Sequence, residues 1–201
     1  MPTIGPIAAR LLVVGLAPGR SGANRTGIPF VGDASGDWLF EALETHGVAD
    51  GVTAAVSTRG AEASVPHLGC CRITNAVRCL PPQNRPTGVE RQSCLDYLER
   101  DLGLLCRGGR RRAPVAVLAL GRFAHDAVLK ALRRPGRAAP FAHGALHGLA
   151  PNVTLADSYH CSRYNTQTGR LTRPMFHRVL RRLRELLDAG LECGSAREDR
   201  Y

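Results

Sequence analysis

The sequence has no apolar run of the roughly 18 residues that a membrane-crossing helix needs. Its N-terminus has no basic stretch leading into a short apolar core, so no secretory signal is read. The expectation is therefore a cytoplasmic protein with no membrane partner. Internal repeats, low-complexity segments and composition breaks are also missing. That predicts one domain over residues 1–190, followed by a polar tail at 191–201. There is no GK[ST], which excludes a P-loop, and no G-x-G-x-x-G, which excludes the common dinucleotide fingerprint. Acidic residues are scarce: 17 Asp and Glu stand against 27 Lys and Arg, for a formal net charge of +10. Such an excess suits a polyanionic partner such as nucleic acid, and equally a solvated basic surface. The cysteine count is 7, an odd number. Without a secretion signal these read as free thiols or metal ligands and not as a disulfide framework.

What is present reads as a globular chain. Its 201 residues are 44% hydrophobic and 22% charged, enough for a real core. The order is strand, loop, helix, four times over. "LLVVGL" (11–16), "RITNAV" (72–77), "PVAVLAL" (114–120) and "NVTLADS" (152–158) are the strand candidates. In "SGDWLFEALETHG" (35–47), Trp38, Leu39, Ala42 and Leu43 recur at helical spacing, with Ser35 as expected N-cap and Gly47 as the stop. A second helix spans 86–105, with Thr87 and Glu90 forming a capping box, and a third runs over about 122–134. The last covers 172–190, with one apolar stripe from Met175 to Leu187 and arginines opposite it. Residues 51–69 and the "GGRRR" at 108–112 read as loop and basic turn, and "RRPGRAAP" as a linker.

Continuous apolar strands alternating with helices predict a three-layer α/β/α sandwich around a four-stranded parallel sheet. Ligands of such folds bind beyond the C-terminal ends of the strands. Three conspicuous segments fall there: "GLAPGRSGANRTGIPFVGDASG" (15–36), "ITNAVRCLPPQNRPT" (73–87) and "DSYHCSRYNTQTGRLT" (157–172). In the first, glycines let the backbone approach a ligand closely, and Asp33 is the one carboxylate. In the second, the Asn75 amide offers both a donor and an acceptor.

Together these three segments resemble the motifs of the family 5 (type b) uracil-DNA glycosylases, over roughly residues 8 to 188 and in the right order. The resemblance implies base excision from DNA, with the target base flipped into a pocket. It implies that Phe30 stacks on the base, that Asn75 reads its edge and that Leu16 and Ala17 line the pocket. Leu16 stands near a position that is polar in other glycosylase families, so it cannot place water. Asp33 is implied in that role, and in stabilising the cationic sugar. His160 would donate to uracil O2 as charge builds on the leaving base. Arg163, Tyr164, Asn165 and Arg170 would meet DNA. Cys161 and Tyr164 depart from the usual Pro and Gln of the family. A broad base range, extending to hypoxanthine and xanthine, is implied as well.

Cys79 and Cys94 match two of the four ligands of the family's [4Fe–4S] cluster. The other two normally form a Cys-x-x-Cys ahead of the first strand, where these 201 residues have no cysteine. The chain as given is expected to lack a stable cluster, with Cys70 and Cys71 the available substitutes. Histidines 46, 67, 125 and 177 read as structural or surface residues, while His143 and His147 are open as pocket neighbours. The chain is expected to act as a monomer. Two rival readings stand beside the glycosylase: a damaged-DNA sensor without activity, and an unrelated nucleotide-binding α/β enzyme.

Overall fold

The computed structural model describes residues 1–49, 65–108 and 113–195. Strand β1 (Leu11–Gly15) is buried along its whole length, and successive side chains divide between two cores. Leu11 and Val13 enter one hydrophobic cluster, Leu12 and Val14 the other. This two-sided burial explains why the strand reads as an unbroken apolar run. Strand β3 (Val115–Leu120) repeats the pattern, while β2 (Cys71–Asn75) and β5 (Val153–Ser158) also bury polar residues, Arg72, Thr74 and Asn75 in one and Asp157 and Ser158 in the other.

The sheet order is β2-β1-β3-β5-β4, with β4 at Leu146–Ala150. The first four strands pair in parallel, giving the expected four-stranded parallel sheet. A fifth strand, β4 (Leu146–Ala150), adds to one edge as an antiparallel hairpin with β5. It escapes the sequence reading because one face is solvated. Its residues are half-buried or exposed, and Gly148 and His147 interrupt any apolar run.

After the short helix α1 (Ala23–Thr26), one face of the sheet is covered by α2 (Ala34–Thr45) and α6 (Arg173–Ser195), through Leu39, Phe40, Leu43, Phe176, Leu180 and Leu183. The other is covered by α3 (Gly88–Gly108) and α4 (Arg122–Ala131), through Leu98, Leu102, Leu105, Val128 and Leu129. Each fully buried Leu or Phe contributes about 1.5–3 kcal/mol. Helix α3 begins with the expected capping box. The Glu90 N–H donates to Thr87 Oγ1 (3.2 Å), and the Thr87 N–H donates back to Glu90 Oε2 (2.7 Å).

Several expected boundaries move. Asp33, not Ser35, is the N-cap of α2: its Oδ1 accepts from the N–H groups of Ser35 (2.9 Å) and Gly36 (3.2 Å). Helix α4 ends at Ala131, short of 134, and a 3-10 turn (Gly136–Ala138) lies within the expected linker. Helix α6 continues past the expected stop at Gly190 to Ser195. Residues 51–64, 109–112 and 196–201, which carry the expected loop, basic turn and tail end, lie outside the described residues. None of the helices among the described residues is long and apolar enough to cross a membrane.

Candidate active site

A cavity of about 350 Å³ opens beyond the C-terminal ends of β1, β2, β3 and β5. Leu16, Ala17, Phe30, Asp33, Asn75 and His160 all line it, so three distant segments meet at one place. Backbone bonds hold the first two together. The N–H of Ala76 donates to Gly15 O, and that of Val77 to Leu16 O, both at 2.9 Å.

The glycines of the first loop make room for these side chains. A Cβ on Gly22 would stand 2.5 Å from Asp33 Oδ2. A Cβ on Gly15 would collide with Asn75 Oδ1 and stand 2.7 Å from Phe30 Cζ. The loop needs close approach here, and only glycine permits it. Phe30 itself has φ +62°, an uncommon conformation for a bulky residue. It is held there because its carbonyl lies where only Gly36, without a Cβ, can pack.

Asp33 divides its carboxylate. Oδ1 is committed to the first turn of α2, while Oδ2 lies against Gly19 and Gly22 at the cavity wall. Asn75 is buried at the end of β2, 5% exposed. Its Oδ1 has no hydrogen-bond partner, although a buried amide oxygen ordinarily has one. The segment after Asn75 is anchored by Arg78. Arg78 pairs with the buried Asp101 at 2.8 Å, beside a second pair from Arg72 at 3.2 Å.

His160 follows β5, its ring stacked toward Phe30 with centroids 6.1 Å apart and planes 23° from parallel. Its Nδ1 is also buried without a partner. Burial lowers its pKa below 6.5, and the nearby Asp33 charge opposes this only in part. The ring is therefore neutral at pH 7, and a neutral imidazole can donate a hydrogen bond without carrying charge into the site.

The expected DNA loop is helix α5 (Arg163–Gln167) and its flanks. Arg163 is exposed and Tyr164 is 70% exposed. The Arg170 guanidinium lies 4.7 Å over the Tyr159 ring. Asn165 donates Nδ2 to His160 O at 2.8 Å, tying the start of the loop to α5. Cys161 is fully buried, and its thiol donates to Ser35 O at 3.3 Å, tying the loop to α2. Burial pushes that thiol up to about 12. Asn84, Gly121 and Phe123 also line the cavity and were not foreseen. Gly121 and Phe123 directly follow β3, where the strand-end rule would have found them.

The Uracil DNA glycosylase superfamily matches residues 2–184. The chain belongs to this superfamily. It is 44% identical to the Type-5 uracil-DNA glycosylase of Thermus thermophilus, over 95% of the chain and 81% of that relative. It is 41% identical to the Type-5 uracil-DNA glycosylase of Pyrobaculum aerophilum, over 90% of the chain and 74% of that relative. A Type-4 uracil-DNA glycosylase of Archaeoglobus fulgidus is 35% identical over 62% of the chain and 49% of its own length.

The iron–sulfur ligands expected from the uracil DNA glycosylase resemblance can be tested on this structure. Cys94 is buried and accepts a 3.4 Å bond from the N–H of Arg78, next to the exposed Cys79. The two thiols thus belong to adjacent segments. Cys70 and Cys71 cannot join them, because they sit at the start of β2 and Cys79 lies beyond its end. Five residues of strand put about 13 Å between those ends. A cubane requires four ligands. Among the described residues, three metal-type ligands gather only as His125, His147 and Asp157. There, Asp157 meets His125 Nδ1 at 2.7 Å and His147 Nε2 at 3.1 Å, and His125 Nε2 donates to Ala139 O at 2.8 Å. That group straps β5 to β4 and α4, and His147 faces it rather than the cavity. The described residues do not fit a [4Fe–4S] cluster.

Proposed function

We propose that this chain hydrolyses the N-glycosidic bond of uracil in DNA. The observation that carries the reading is the pair of orphaned buried atoms, Asn75 Oδ1 and His160 Nδ1, sharing one cavity with the free oxygen of Asp33. Unsatisfied polar atoms of this kind cost about 1–3 kcal/mol each, and a flipped base would satisfy them. The N3–H of uracil matches Asn75 Oδ1, and the Asn75 amide N–H can donate to O4. Phe30 supplies a face for stacking.

When the C1′–N1 bond breaks, its electron pair leaves with the base, and the sugar becomes an oxocarbenium-like cation. A hydrogen bond from neutral His160 to O2 stabilises the departing anion. Asp33 Oδ2 stabilises the cation and orients the water that adds to C1′; the proton this water sheds is balanced by protonation of the released uracil anion. Fixed groups aimed at developing charge are the largest usual contribution to such catalysis. No step runs through a metal or cluster.

We extend the proposal to hypoxanthine and xanthine, because Leu16 and Ala17 give that wall no polar group with which to reject a purine. DNA is the partner in this reading, approached by the exposed Arg163 and Tyr164, with the protein acting as a monomer in the cytoplasm. Single-turnover excision on duplexes carrying uracil, hypoxanthine or xanthine tests it. Uracil release at a rate well above that of the His160→Ala variant is expected. DNA binding without release would leave the sensor reading, and neither would overturn both.

A further inference from the structure

His160 can act only if the chain leaving β5 places its ring correctly, and the structure shows what fixes that chain. Ser158 O accepts from the N–H of Gly121 at 2.7 Å. Tyr159 O accepts from Ser158 Oγ at 2.9 Å. His160 O accepts from Asn165 Nδ2 at 2.8 Å. The N–H of Tyr159 donates to a side chain from a different element: His143 Nδ1, at 3.1 Å.

His143 is unambiguous in tautomer. Its Nδ1 accepts, so its Nε2 carries the proton. It stacks on the Tyr159 ring, with centroids 5.0 Å apart and planes 18° from parallel. Its own segment is strapped to β5: Gly144 N–H donates to Asp157 O at 2.8 Å and Asp157 N–H to Ala145 O at 3.0 Å. Arg182 on α6 holds Gly144 O at 2.7 Å. Such a bond from a rigid neighbour orients an active-site residue in the way that outer-shell partners orient first contacts.

We propose that His143 is a positioning residue for His160, its Nδ1 fixing the Tyr159 peptide so that the His160 ring enters the cavity. This rests on the uracil-excision reading. The acceptor at Nδ1, and not the ring, does the positioning.

Three variants separate those possibilities. His143→Asn keeps an acceptor, Oδ1, at the branch where Nδ1 stands. His143→Phe keeps the ring and its stacking but has no acceptor. His143→Gln carries its amide one bond too far. Single-turnover excision of uracil should fall about tenfold or more in the Phe and Gln variants. A tenfold loss equals about 1.4 kcal/mol, about what one hydrogen bond contributes. The dissociation constant for uracil-containing duplex should stay within about twofold, and the Asn variant should recover to within about threefold of the parent. Equal rates in the Asn, Phe and Gln variants would overturn the proposal. The ring NMR signals of His160 in the free protein give a readout independent of activity. They should shift in the Phe and Gln variants and stay near parental in the Asn variant. If the parent releases no uracil, the functional reading fails, while these signals still test the positioning. Unshifted His160 signals in the Phe and Gln variants would overturn it.

Discussion

Asp33 shows how one side chain can serve the fold and the chemistry together. One oxygen caps α2 and the other faces the cavity, so two substitutions should separate the roles. Asp33→Asn keeps an amide oxygen for the cap and loses the negative charge. Single-turnover excision should drop on the order of 10²–10³-fold, as when one preorganised electrostatic group is removed, with Tm nearly unchanged. Asp33→Ala should lose activity and also Tm, since an N-cap is worth about 0.5–2 kcal/mol. If the Asn variant cleaves at the parental rate, Asp33 is structural only. The sequence made Asp33 conspicuous as the lone loop carboxylate, but its capping role was assigned to Ser35. The two positions lie within one turn of each other, and only geometry separates them. Phe30 and Asn75 were legible because their motifs are contiguous. The bond from Asn165 to His160 O was not legible, because its acceptor is a backbone carbonyl that no residue pattern reports.

At the scale of elements, locally determined features could be read and paired ones could not. The Thr87–Glu90 cap is a contact between residues three apart, so the sequence carries it whole. Strand β4 exists through its pairing with β5, and a half-solvated edge strand with a central glycine has no pattern of its own. His143 was left open for the same reason, since its partner Tyr159 is reached only through that hairpin. The Gly15–Gly36 loop lies between these cases. Its richness in glycine was evident, while the cause, the crowding of Asp33, Asn75 and Phe30 against it, appears only in three dimensions. Gly22→Ala tests that cause. The added Cβ would stand 2.5 Å from Asp33 Oδ2 and 2.8 Å from Asp33 Cβ, so the carboxylate must move. Excision should fall by about tenfold or more, because displacing a reacting group by as little as 1 Å costs up to 10². DNA affinity should be little changed. A parental rate in this variant would show that Asp33 tolerates displacement.

At the scale of the whole molecule, charge and burial set how the protein responds to salt and to pH. A net charge of +10 on a DNA-binding chain implies release of condensed counterions, so log affinity should fall steeply and linearly with log salt. A flat dependence between 50 and 200 mM salt, on the order of the usual test range, would argue against DNA as the partner. For pH, His46, His143 and His160 all have pKa values lowered from 6.5, with burial the first cause in each. The unfolded chain therefore binds more protons than the folded one once pH falls below about 6.5. The stability these neutral rings confer is present above that pH and is lost as pH falls toward their folded values. The thiols of Cys71 and Cys161 act in the opposite direction, because burial raises both above 9.0. The unfolded chain loses those protons first, so stability declines as pH rises past about 9. Tm should thus be highest on a plateau between about pH 6.5 and 9 and fall on both sides. His160→Asn removes one buried imidazole, so the fall in Tm between pH 7.5 and 5.5 should be smaller in that variant than in the parent. A parental Tm that stays flat or rises as pH drops through this window would show that the buried imidazoles are already protonated in the folded state, and would remove the basis for treating His160 as a neutral donor.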